Sequence, residues 1–130
     1  MHRSRIGVVL IDHPADVYDP AAAFWAGASG QDLVPPGATA EEDPYDALGL
    51  LGGSLKLELQ RTGTGTPSRV HLDIETDDVT AETERLVELG ATMVEERKGY
   101  RIMADPGGLV FCVVPVQTDD FDQHAVAWPR

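Results

Sequence analysis

Hydrophobic and polar residues follow one another along this chain in short runs whose period changes, and each change marks an element. Residues 6–11 (IGVVLI) form an apolar, β-branched run bounded by polar residues, which predicts a buried strand. Asp19-Pro20 predicts a helix start, with Asp19 as N-cap and Pro20 at the first helical position, where a missing N–H is harmless. That helix is expected over about residues 21–28, anchored by Phe24 and Trp25 and stopped near Gly30. Because Phe24 and Trp25 are adjacent, one is expected in the core and the other facing away. Residues 31–44 hold Pro35, Pro36, Gly37 and the acidic run Glu41-Glu42-Asp43. They predict a solvated loop, with a short strand near Leu33-Val34 and the acidic run as a candidate lid. Residues 45–51 give a weak strand closed by Gly52-Gly53. Residues 55–60 (LKLELQ) alternate cleanly: Leu55, Leu57 and Leu59 share one face, and Lys56, Glu58 and Gln60 the other.

After a Gly/Thr/Pro-rich linker at 62–68 the order of elements begins again. Residues 69–75 (RVHLDIE) alternate, with Val70, Leu72 and Ile74 on one face and His71, Asp73 and Glu75 on the other. Thr76-Asp77-Asp78 opens a second helix, its acidic residues complementing the positive N-terminal end. Val79, Leu86, Val87 and Leu89 are expected to form its apolar stripe, with Glu82, Glu84, Arg85 and Glu88 outward and Gly90 ending it. Strands follow at 92–95, 100–104 and 109–114, the last two separated by an Asp105-Pro106-Gly107-Gly108 turn. The tail, 117–130, is polar but carries Phe121 and Trp128, which predict docking either on its own body or on a partner chain. The chain thus reads strand–helix–three strands twice. The expectation is an α+β domain over 1–130, with module one at about 5–61, module two at about 69–116 and a tail from 117.

Composition narrows the function. A chain of 130 residues suits one core. The net charge of −12 argues against a nucleic-acid partner, which requires Lys and Arg to neutralise phosphates, and would attract a cationic ligand. Cys112 is the one cysteine, so there is neither an internal disulfide nor a cysteine cluster, and a reducing cytoplasmic location is expected. The run at 6–11 is too short to span a bilayer, so no membrane partner is expected. Phosphate-binding loops, an HExxH metal motif and a serine nucleophile elbow are all missing from the sequence.

Three segments carry a family resemblance. They are Arg69-Val70-His71-Leu72-Asp73-Ile74 followed by Asp77-Asp78, the helix end Leu89-Gly90-Ala91, and Asp105-Pro106-Gly107-Gly108-Leu109-Val110-Phe111-Cys112. Together they resemble the second half of a glyoxalase-like domain of the vicinal-oxygen-chelate superfamily, the glyoxalase, bleomycin-resistance and dioxygenase group. Ala23-Phe24-Trp25 resembles its first half, and the resemblance covers about residues 5–116. It implies two βαβββ modules pairing into an open barrel-like cleft, and a homodimer. In metal-dependent members a divalent ion in that cleft is held by first and last strands. By position, Glu58 matches the carboxylate donor of module one's last strand and His71 the imidazole donor of module two's first strand. Cys112 stands where module two's last strand supplies a glutamate, and Asp12 is the nearest donor in the first strand.

The resemblance therefore makes His71 and Glu58 the catalytic and metal-binding candidates, an incomplete set, with Trp25, Lys56, Gln60, Asp73 and Cys112 as ligand-binding candidates. Two functions follow. One is a small-molecule binder without a complete metal site and with no cofactor, of the antibiotic-binding or resistance kind. The other is a divalent-metal-dependent glyoxalase, lyase or dioxygenase-type enzyme at His71, Glu58 and a third group. A metal-free enzyme with His71 as acid–base catalyst is a weaker third. The short donor set favours the binder. Cys112 reads as buried packing on an apolar strand, or as a thiolate ligand that would suit Zn²⁺.

Overall fold

A computed structural model describes residues 1–33, 45–52 and 55–129. Of the strand expected near Leu33-Val34 only Leu33 is described, and the acidic run Glu41-Glu42-Asp43 lies outside the described residues. The elements are β1 (His2–Pro14), α1 (Ala15–Ser29), β2 (Tyr45–Gly52), β3 (Leu55–Thr62), β4 (Arg69–Thr76), α2 (Val79–Glu88), β5 (Thr92–Arg97), β6 (Tyr100–Ala104), β7 (Val110–Pro115), α3 (Phe121–His124) and β8 (Val126–Trp128). The hydrogen-bonded strand order is β2-β3-β1-β4-β7-β6-β5, with β8 on β1, and the class is the expected α+β. No helix among the described residues is long and apolar enough to cross a membrane. The chain divides into two compact units, residues 9–70 and residues 1–8 with 71–130.

In the unit of residues 9–70, α1 lays Tyr18 and Ala22 against the fully buried Leu59 of β3, with Ile11, Trp25 and Leu33 packed around them. Tyr18 and Ala22 are four apart and share one helical face. The helix starts at Ala15 behind Pro14, well before the expected start at Asp19-Pro20, so Pro20 lies inside it. An interior proline costs a helix about 3 kcal/mol. Burying a large apolar side chain such as Tyr18 returns about 1.5–3 kcal/mol. Tyr18 also donates a 2.5 Å hydrogen bond to Asp46 and has Arg61 4.2 Å over its ring. Burial first, and then the Asp46 bond, push its phenol well above the ordinary range. The C-terminal end is as expected: Gly30 adopts φ 71°, the left-handed conformation that favours glycine.

The other unit contains a complete βαβββ series. Here β4 runs parallel to β7, and β6 pairs antiparallel with both β7 and β5. Leu86, Met103, Phe111 and Val113 form its core, with Ile74, Val79 and Ala91 packed against it. Asp78 caps α2 by accepting a 3.0 Å bond from the Ala81 amide. The helix is rotated relative to the expected stripe. Glu82, expected outward, is 0% exposed, while Val87 and Leu89, expected inward, are 48% and 66% exposed. The reason is spacing: Val79, Glu82, Thr83 and Leu86 fall on one face, and Glu82 is admitted because His2 and Arg85 hydrogen-bond it there. The turn after β6 is as read. Asp105 Oδ1 accepts from the Gly107 and Leu109 amides, each at 2.8 Å, and Gly108 adopts φ 92°. The tail docks on its own chain, with Phe121 buried and β8 paired to β1 in the register His2↔Trp128, Ser4↔Val126.

Two fully buried carboxylates hold this unit together. Glu75 accepts from Arg5 Nε at 2.8 Å, from the Gln117 and Thr118 amides at 2.7 and 3.0 Å, and from the Thr118 hydroxyl. Glu82 accepts from His2 Nε2 at 2.7 Å and from Arg85 through two nitrogens, each at 2.8 Å. Burial pushes both carboxyls up, but the hydrogen bonds outweigh it and hold both below the ordinary value of 4.5. Burial likewise pushes the Asp77 carboxyl up, but its bonds to Arg3 together outweigh it and hold the group low. Groups whose folded pKa is depressed stabilise the fold above their unfolded value and lose that contribution as pH falls through the folded one. Urea unfolding should therefore give a stability insensitive to these groups above about pH 5.5 that declines below about pH 4.5. A stability that rose on acidification through that window would contradict the assignment.

Candidate functional site

β4 has an unusual distribution of burial. Val70 is half exposed and Leu72 and Ile74 are partly buried, whereas the polar side is the more buried, with His71 at 5% and Asp73 at 8% exposure. Such burial is costly unless the groups are partnered or bind something. Parallel pairing with β7 sets Asp73 on the same rung as Cys112. Strand alternation returns His71 to the same side as Asp73. As a result the donor atoms of His71, Asp73 and Cys112 all lie within 4.8 Å of one another. His71 Nε2 stands 3.7 Å from Asp73 Oδ1, a distance for charge attraction when the ring is protonated but too long for a hydrogen bond. Cys112 is partly exposed, less enclosed than its two neighbours. It is not the sealed packing residue that a lone cysteine on an apolar strand suggests.

The donor set can be tested against a metal ion. Donors at about 2.0–2.3 Å from a tetrahedral ion stand roughly 3.3–3.7 Å from each other. The His71–Asp73 separation of 3.7 Å already matches, and the Cys112 sulfur lies within 4.8 Å of both. An imidazole, a carboxylate and a thiol together suit Zn²⁺ or Co²⁺ better than Mg²⁺ or Mn²⁺. Three protein donors leave one position open for a ligand. The residues fit.

The other sequence candidates lie in the unit of residues 9–70. Lys56, Glu58 and Gln60 sit side by side on β3, each partly buried, and Gln60 bonds the Tyr45 hydroxyl at 3.1 Å. Trp25 packs on the Tyr18–Leu59 core, while Phe24 is 63% exposed and meets it edge-on at 5.2 Å. Asp12 is fully buried and accepts from Arg69 Nε at 3.1 Å. Asp73, a ligand-binding candidate by sequence, stands here as a third donor beside His71 and Cys112. The signal was the His-x-Asp alternation; the rung shared with Cys112 depends on register, which the sequence does not display.

The family sequence model described as "Glyoxalase-like domain" matches residues 8–114. This chain belongs to the glyoxalase-like domain family, in the vicinal-oxygen-chelate superfamily. No curated protein matches this glyoxalase-like chain. Among solved structures it resembles methylmalonyl-CoA epimerase from Streptomyces coelicolor, with a TM-score of 0.55 at 17% identity over 85% of this chain and 96% of that one. It also resembles 2,2',3-trihydroxybiphenyl 1,2-dioxygenase from Sphingomonas wittichii strain RW1, with a TM-score of 0.56 at 17% identity over 90% of this chain and 43% of that one. A hypothetical protein from Bacillus halodurans C-125 gives a TM-score of 0.57 at 16% identity over 89% of this chain and 98% of that one. At these identities the likeness concerns the fold alone. In this glyoxalase-like domain the gathered donors are His71 and Asp73 on β4 and Cys112 on β7.

Proposed function

We propose that this glyoxalase-like domain binds a small oxygen-bearing molecule at the His71–Asp73–Cys112 side of β4, anchored by a zinc-class divalent ion. The observation that carries the reading is the gathering of three donors of different chemistry within 4.8 Å, two of them buried. His71, Asp73 and Cys112 would hold the ion. When bound, it would supply Lewis-acid polarisation of a ligand oxygen at its open position. The chain's own part is to fix the donors. His71 and Asp73 are set by β4, Cys112 by the parallel ladder with β7, and burial keeps water from competing. Under this reading Glu58 is not required as a donor.

Elemental analysis after dialysis against Zn²⁺, Mn²⁺ and Mg²⁺ tests this. About one zinc per chain is expected, with little manganese or magnesium. His71→Ala should weaken retention by at least about tenfold, since removal of a donor costs more than removal of its supporting partner. A second reading, binding without metal, is favoured by the 3.7 Å His71–Asp73 approach, which would present an imidazole beside a carboxylate to a polar ligand, and by the net charge of −12, which suits a cationic one. Zinc absent at every concentration would retire the first reading in favour of the second.

A further inference from the structure

Leu72 and Ile74 alternate with His71 and Asp73, so they point to the opposite face of β4. There, with Ile6, Leu86, Ala91 and Phe111, they line a cavity of about 240 Å³. Its floor is continuous with the core, since Leu86 and Phe111 are each only 8% exposed. Its rim is not: Ile6, Leu89 and Leu109, which also line it, are 51%, 66% and 50% exposed. Asp105 is the one charged residue among the described lining, and one of its oxygens is committed to the Gly107 and Leu109 amides.

We propose that this cavity is a binding site for a single substituted aromatic ring, or a branched aliphatic group of that size, carrying a neutral or cationic substituent. Size sets the class. An apolar cavity of about 150 Å³ accommodates benzene, and drug-sized ligands need about 300 Å³ or more. The space here lies between the two, room for one ring and its substituent. Chemistry sets the rest. An apolar lining offers a carboxylate nothing, and the Asp105 side chain together with a net charge of −12 repels it. An occupant would also take three large apolar rim side chains out of water. The site is independent of the metal reading, because it uses the other face of the strand.

The test is an NMR titration of the full chain, following backbone amides, with benzylamine, benzyl alcohol and benzoate as probes that share a ring and differ in charge. Saturable shifts are expected at Leu72, Ile74 and Phe111 with the first two, and binding about tenfold weaker with benzoate. Ala91→Leu, which fills the cavity, should abolish them while the spectrum stays folded. If that variant misfolds, the rim change Leu109→Ser should weaken binding instead. Absence of saturable shifts at these residues, their survival in the filled variant, or equal binding of benzoate would overturn the proposal. So would concentration-dependent self-association that protects the same residues, since a second copy would then be the occupant.

Discussion

Replacing Glu75 with alanine should lower stability by about 3–5 kcal/mol, the usual effect of removing one partner of a buried ion pair. The carboxylate is fully enclosed and receives donors from β1 and from the tail. Arg5 in turn reaches the Thr118 hydroxyl and Asp120, each at 2.7 Å. Loss of Glu75 would leave the Arg5 guanidinium, itself only 13% exposed, without its innermost partner, and two tail amides without an acceptor. Domain stabilities are about 5–15 kcal/mol, so the effect is a large fraction of the whole. Gly7→Ala should act on the same network. A Cβ there would lie 2.6 Å from Glu75 Oε2 and 2.7 Å from its Cδ, and the clamped carboxylate has no room to yield. Urea denaturation of both variants checks this; a loss below about 1 kcal/mol for Glu75→Ala would show that the clamp is dispensable.

Glu82→Ala should cost a similar amount, about 3–5 kcal/mol, by a second buried network. Glu82 joins His2 on β1 to Arg85 one helical turn on, and Arg85 lies 3.8 Å over the Trp128 ring, whose indole N–H donates to Ser4 at 2.9 Å. His2 Nδ1 has no hydrogen-bond partner among the described residues, so Nε2 carries that residue's contribution. Removing Glu82 would free Arg85 from its bidentate partner and change the surroundings of Trp128, so tryptophan emission should shift together with the denaturation midpoint. The exposed neighbour Glu84 is the control, with Glu84→Ala expected within about 0.5 kcal/mol of the parent. Equal effects from Glu82→Ala and Glu84→Ala would contradict the burial assigned to Glu82.

The second half of the chain was the more legible. RVHLDIE, the Asp78 cap and the Asp-Pro-Gly-Gly turn each declare an element through local chemistry, and β4, α2 and the turn lie where those signals put them. Two readings failed for one reason: tertiary burial overrode a local rule. Pro20 looked like a helix start, but the Tyr18 face carries α1 back to Ala15. Glu82 looked like solvated surface, but partners far away in sequence, foremost His2, draw it inside. The candidate site was legible as residue types and not as a constellation. His71 and Asp73 share a strand face by alternation alone, whereas Cys112 joins them through a parallel register set over some forty intervening residues.

On the proposed reading, the Cys112 thiolate, His71 and Asp73 together hold one ion. Titrating the protein with Co²⁺ and recording its absorption tests that most directly, because a thiolate bound to cobalt gives an intense near-ultraviolet charge-transfer band that nitrogen and oxygen donors do not. The band should grow to saturation at about one equivalent, vanish in Cys112→Ser and weaken in both His71→Ala and Asp73→Ala. No such band in the parent protein, or a band unchanged in His71→Ala and Asp73→Ala, would show that these three residues do not share an ion.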